Sequence, residues 1–104
     1  MQDLTQAQWA KKLAGDPNAV ILDVRTAQEL EQGHIPNARH LDVYDTAGFM
    51  GAVKTLDTSK NYYVYCHSGG RSKQACMILG SQGIAHAYNL LGGFSEWKGE
   101  TETH

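Results

Sequence analysis

The chain has 104 residues, 41% of them hydrophobic, with a formal net charge of −2 from nine Lys and Arg against eleven Asp and Glu. That length suits one domain with a core that needs neither disulfides nor metals, and the charge balance excludes a general footprint for nucleic acid or an anionic membrane. Two cysteines, Cys66 and Cys76, are too few for a disulfide framework, so two thiols in a reducing compartment are the simpler reading. No apolar run approaches a membrane span. No basic-then-apolar signal opens the chain. A cytoplasmic protein is therefore expected, with the periplasm requiring that a signal sequence has been removed.

The elements follow in chain order. Thr5-Gln6-Ala7-Gln8 is a capping box, with Leu4 and Trp9 spaced for a hydrophobic staple. The helix it opens should run to about Ala14, where Gly15-Asp16-Pro17 stops it. Val20 to Val24 is short, β-branched and nearly continuous, which suits a strand buried on both faces of a parallel sheet. Thr26-Ala27-Gln28-Glu29 is a second capping box, and Ala38 to Val43 is a weaker strand candidate. Phe49, Met50, Val53 and Leu56 have helical spacing, although Gly48 and Gly51 weaken it. Tyr62 to Cys66 is the second strong strand. From Arg71 to about Ser81, Ala75, Cys76 and Leu79 line one helical face, and Gly83 is placed as a C-terminal cap. Ala85 to Asn89 is a last weak strand. Strand and helix alternate throughout, which gives an α/β domain around a central parallel sheet. We expect one domain over residues 1–98 and a polar, frayed tail over residues 99–104.

The stretch that carries chemistry is Cys66-His67-Ser68-Gly69-Gly70-Arg71-Ser72, at the end of a buried strand and the start of a helix. Ligands of open α/β sheets bind at the carboxyl ends of strands. Gly69 and Gly70 permit a tight turn whose N–H groups point inward as an anion-binding nest. The following helix aims its positive end at the same spot, and Arg71 adds a permanent cation. All of these stabilise thiolate over thiol, and thiolate is the nucleophile. The plain alternative is a buried core cysteine. It would not need a Gly-Gly-Arg cradle.

Three motifs then carry a resemblance. Cys66-x-x-Gly69-x-Arg71 resembles the active-site loop of the rhodanese family. Asp23-Val24-Arg25, Glu29 and Gly33-His34-Ile35-Pro36-Asn37-Ala38 resemble its N-terminal signature, and Gly92-Gly93-Phe94-Ser95-Glu96-Trp97 its C-terminal one. Their order covers residues 4–98. The resemblance implies a five-stranded parallel sheet with helices on both faces. It implies transfer of sulfane sulfur through Cys66, with residues 67 to 71 holding the anion and no metal or organic cofactor. A phosphatase or arsenate reductase of the same fold is a rival reading, and the phosphatases place one more residue between Cys and Arg. Four stand here, His67 to Gly70, which matches the sulfur-transferring class. Many thiosulfate-active relatives carry Arg or Lys where this chain has His67 and Gly70. Neutral persulfides and protein donors therefore stay open beside thiosulfate, as does service as a non-enzymatic persulfide carrier. A monomer is expected, with a small-molecule sulfur donor and acceptor.

Other residues have quieter expected roles. Asp23 and Arg25 should form a charge pair that orders the loops around the site, with Ser72 as a further support. Glu29 should serve its capping box. His34, His40 and His86 lack the spacing of a zinc site, so no metal is assigned. Gly92 and Gly93 should permit a tight turn, Trp97 should pack on the core, and Cys76 should be core rather than a resolving thiol.

Overall fold

The computed structural model describes residues 1–103. Strand and helix alternate along the chain: β1 (Gln2–Leu4), α1 (Gln6–Ala14), β2 (Ala19–Asp23), α2 (Ala27–Glu31), β3 (Arg39–His40), α3 (Thr46–Val53), β4 (Asn61–Tyr65), α4 (Gly70–Ser81) and β5 (Ala87–Leu90), with a 3₁₀ turn at Phe94–Glu96. The five strands form one parallel sheet in the order β1-β5-β4-β2-β3. No helix among the described residues is long and apolar enough to cross a membrane.

The sheet divides two cores, and β4 shows how. Successive strand side chains point to opposite faces. Tyr62, Val64 and Cys66 join one cluster with Phe49 and Val53 of α3 and Ala75, Cys76 and Leu79 of α4. Tyr63 and Tyr65 join the other with Trp9 of α1, Ile35 and Leu90. With both faces covered, β4 needs an unbroken apolar sequence. Trp9 is wholly buried, and its Nε1–H donates to Tyr88 O at 3.2 Å. A side chain of that class contributes about 1.5–3 kcal/mol on burial.

Both capping boxes form as the sequence spells them. Helix α4 closes in a Schellman motif. Gly83, at φ +91°, donates to Gly80 O, and Ile84 donates to Leu79 O. One strand was not foreseen and two expectations need correction. β1 carries no apolar pattern, since Leu4 alone of its residues is buried, and it forms because β5 offers an open edge. The strand expected over residues 38–43 shrinks to Arg39–His40, because β3 is an edge strand with a single neighbour. The polar run after residue 98 does not fray within the described residues: Glu102 and His34 exchange backbone hydrogen bonds at 2.8 Å each, and Trp97 Nε1–H donates to Glu100 O.

The topology places the site. From β2 the chain leaves toward β3, and from β4 it leaves toward β5, in opposite directions across the sheet. A crevice opens at the carboxyl ends where connections diverge in this way. The residues at its two lips are Asp23 to Arg25 and Cys66.

Candidate active site

Cys66 follows the central strand β4 and is 1% exposed. The loop after it turns at Gly69, which adopts φ +108° as the N-cap of α4. The turn brings the Gly69 N–H to 3.0 Å from Cys66 Sγ and Ser72 Oγ to 3.4 Å. Burial pushes the thiol up. The Ser72 hydroxyl and the backbone N–H groups of Ser72, Gly69 and Ser68 outweigh it, so the thiol ends below its ordinary value. Of the loop N–H groups, that of Gly69 points directly at the sulfur, and those of Ser68 and Ser72 add to its pull. His67 and Gly70 lie at the exposed rim, and His67 contributes its carbonyl to the scaffold described below.

Arg71 departs from the expected bare cation. Its Nη1 and Nη2 donate to the two carboxylate oxygens of Glu29 at 2.7 and 2.8 Å, and Tyr44 lies 5.1 Å from the guanidinium carbon. The bidentate bond to Arg71, helped by the Thr26 bonds, holds the Glu29 carboxyl down at about 2 against the opposing push of burial. Two of the five guanidinium N–H donors are thereby committed to Glu29 in fork-to-carboxylate geometry. Glu29 therefore does two jobs. It closes its capping box at Thr26 and ties α2 to α4, a link spanning 42 residues that sequence spacing does not reveal.

Asp23 and Arg25 pair in the interior at 2.8 Å. Arg25 Nη2 also donates to Gly33 O at 2.7 Å, and its guanidinium lies 4.4 Å from the centre of the Phe94 ring. Tyr65 Oη donates to Asp23 Oδ2 at 2.6 Å and accepts from the Ile35 N–H at 3.0 Å. Every bond of the pair goes to framework, which joins the end of β2, the Gly33–Ile35 segment and the C-terminal turn.

Several contributors were hidden in the sequence. The Phe94 N–H donates to Cys66 O at 2.8 Å, and the Ser95 N–H to His67 O at 2.9 Å. Gly93 lies flat against the same peptide at φ +59°, and a Cβ there would sit 2.5 Å from His67 O and 2.7 Å from Cys66 O. The second Gly-Gly is therefore a clamp on the cysteine loop as well as a turn. Asn89 is 1% exposed on β5. Ser72 Oγ lies 2.5 Å from its Oδ1, and its Nδ2 donates to Asp3 Oδ1 at 2.9 Å and Gly69 O at 3.2 Å. The available signal was an Asn inside an otherwise apolar strand, because a buried amide must find partners. No group of three or more His, Cys, Asp or Glu positioned to hold a metal exists among the described residues.

The second thiol has opposite surroundings. Cys76 is fully buried on α4, and burial pushes it up to about 12. A small alkylating reagent at neutral pH should label native protein at one position, Cys66, with a midpoint below the free-thiol value of about 8.5. Cys76 should react only after denaturation. Labelling of Cys76 in the native state, or a Cys66 midpoint at or above the free value, would contradict this geometry.

Comparison with known proteins gives a consistent picture. The Rhodanese-like domain family model matches residues 6–100. The chain is 34% identical over 102 residues to the putative sulfurtransferase YtwF of Bacillus subtilis, covering 98% of this chain and 95% of that protein. It is 36% identical over 83 residues to the thiosulfate sulfurtransferase GlpE of Pseudomonas syringae, covering 80% of this chain and 76% of the other. A crystal structure of a rhodanese-like domain protein from Staphylococcus aureus superposes with a TM-score of 0.84 at 31% identity, covering 100% and 99% of the two chains.

Proposed function

Since the chain belongs to the rhodanese-like domain family, we propose that it is a sulfurtransferase in which the Cys66 thiolate takes sulfane sulfur from a donor such as thiosulfate or a persulfide and passes it to a thiophilic acceptor. The observation that carries this reading is the position of Cys66 Sγ, at the carboxyl end of the central strand and beneath inward N–H groups. The thiolate attacks the outer sulfur of the donor. The donor's bond to that sulfur breaks, and the leaving group departs with the bonding pair. The resulting persulfide anion extends into the space served by the loop N–H groups, which meet it without reorganisation. An acceptor such as cyanide or a thiol then attacks the outer sulfur and restores the thiolate, in a double displacement. The support from Asp23, Arg25 and Glu29 is indirect, through the walls that hold the loop. The four-residue spacing between Cys66 and Arg71 favours this reading over phosphate-ester hydrolysis.

The test is intact-protein mass spectrometry after incubation with thiosulfate, polysulfide or glutathione persulfide. The expected result is a gain of one sulfur atom, mapped to Cys66 and removed by cyanide. No gain with any of the three donors, or a gain mapped to Cys76, would overturn the proposal. Sulfur that loads but leaves only toward a protein thiol would identify a carrier.

A further inference from the structure

The Ser72 hydroxyl has one proton and three acceptors around it: Asn89 Oδ1 at 2.5 Å, Gly69 O at 3.1 Å and Cys66 Sγ at 3.4 Å. The Asn89 amide cannot turn over to relieve this, because its Nδ2 hydrogens go to Asp3 Oδ1 and Gly69 O. A flipped amide would set its oxygen against both of those acceptors. Oδ1 is thereby fixed toward Ser72, in a place where Ser72 is 0% and Asn89 1% exposed. Asn89 and Cys66 therefore compete for a single proton.

The state of the sulfur decides the winner. A bare thiolate is a charged acceptor, and charge-assisted hydrogen bonds are the stronger kind. It draws the Ser72 proton and leaves Asn89 Oδ1 buried without a donor, which is unfavourable. In a persulfide the charge has moved to the outer sulfur, and Sγ is an uncharged, weak acceptor. The Ser72 proton then returns to Asn89, while the outer sulfur draws on the backbone N–H groups.

We propose that Asn89 is a positioning residue that biases Cys66 toward its sulfur-loaded state, because it holds the Ser72 proton when Cys66 carries sulfur and is stranded when Cys66 is a bare thiolate. This rests on the persulfide reading above. The equilibrium that Asn89 shifts is the exchange of the Cys66 thiolate and thiosulfate for the Cys66 persulfide anion and sulfite. The thiolate attacks the outer sulfur, the sulfur–sulfur bond of thiosulfate breaks, and sulfite leaves with the electron pair. Three negative charges stand on each side. The ionisable groups around Cys66 are Arg71 and Cys76 of α4, Glu29 of α2 bound to Arg71, His67 of the loop, the Asp23–Arg25 pair after β2 with Tyr65 of β4, and Asp3 of β1 with Lys73 beyond it. All of them are retained in the variants below.

The test equilibrates protein with fixed ratios of thiosulfate to sulfite and reads the loaded fraction by intact mass, with alkylation against pH as a second readout. Asn89→Leu keeps a similar shape and removes the competing oxygen. Its loading constant should fall about tenfold, and its alkylation midpoint should drop by about one pH unit. In a Ser72→Ala background the same substitution should change neither, because the effect runs through the Ser72 proton. Asn89→Ala provides the measurement if the leucine variant does not fold. An unchanged or higher loading constant, or an equal fall in the Ser72→Ala background, overturns the proposal. A wild-type protein that never loads would overturn the sulfurtransferase reading instead, and the alkylation midpoints would still decide whether Asn89 competes for the proton.

Discussion

Cys66→Ser should abolish sulfur transfer, with a loss of at least about a thousandfold in the rate of thiocyanate formation from thiosulfate and cyanide. A serine hydroxyl is not ionised at neutral pH and forms no stable analogue of a persulfide, so the loop has nothing to activate. The fold should survive. Serine is close to cysteine in size, and its oxygen can take the Gly69 N–H that now points at Sγ. The cost should be about 1 kcal/mol, from a shorter atom in a place shaped for sulfur. A thermal melt within a few degrees of wild type, together with no transfer, is the expected pair of results. Thiocyanate formation at a comparable rate would show that Cys66 is not the carrier. An unfolded variant would move the test to Cys66→Ala.

Gly93→Ala should disable the site from behind. The added Cβ would lie 2.5 Å from His67 O and 2.7 Å from Cys66 O. Neither carbonyl can withdraw freely, because each accepts from the segment that would be pushing it, through the Phe94 and Ser95 N–H groups. Gly93 also sits at φ +59° and ψ −160°, a conformation almost confined to glycine. We expect a loss of about 3 kcal/mol in stability, from strain and overlap together. Transfer should fall about a hundredfold as the N–H groups lose their aim at the sulfur. Gly83→Ala is the control. Gly83 also has positive φ, at +91°, but a Cβ there meets nothing within 4 Å. It should cost about 1 kcal/mol and leave transfer unchanged. A folded Gly93→Ala protein with wild-type kcat/KM would mean that the clamp does not govern the loop.

The legible parts of the chain are those where local chemistry and tertiary demand coincide. β2 and β4 read clearly because strands covered on both faces need continuous β-branched or aromatic sequence. The two capping boxes read clearly because Thr5 with Gln8 and Thr26 with Glu29 satisfy the same backbone groups in any context. The turn after β4 reads clearly because Gly69, at φ +108°, and the helix that follows carry their own conformational signal. The rest is long-range. β1 has no pattern of its own and exists because of β5. The pairing of Glu29 with Arg71 turns an expected cation into a tied one, and only the folded arrangement of α2 and α4 reveals it. Backbone donors such as Phe94 and Ser95 are invisible in a sequence because every residue except proline has an N–H.

The clamp also sets the order in which the protein becomes chemically competent during its own synthesis. About 30 residues separate Cys66 from Ser95, whose N–H fixes the loop. At about 5–20 residues per second, roughly 1.5–6 seconds of translation lie between them. The strand β1 waits as well, since its partner β5 follows it by about 85 residues in the chain. Until then Cys66 lacks the anchored loop that gathers N–H groups around its sulfur. On the proposed reading, the growing chain would carry an ordinary cysteine until the C-terminal turn closes behind it.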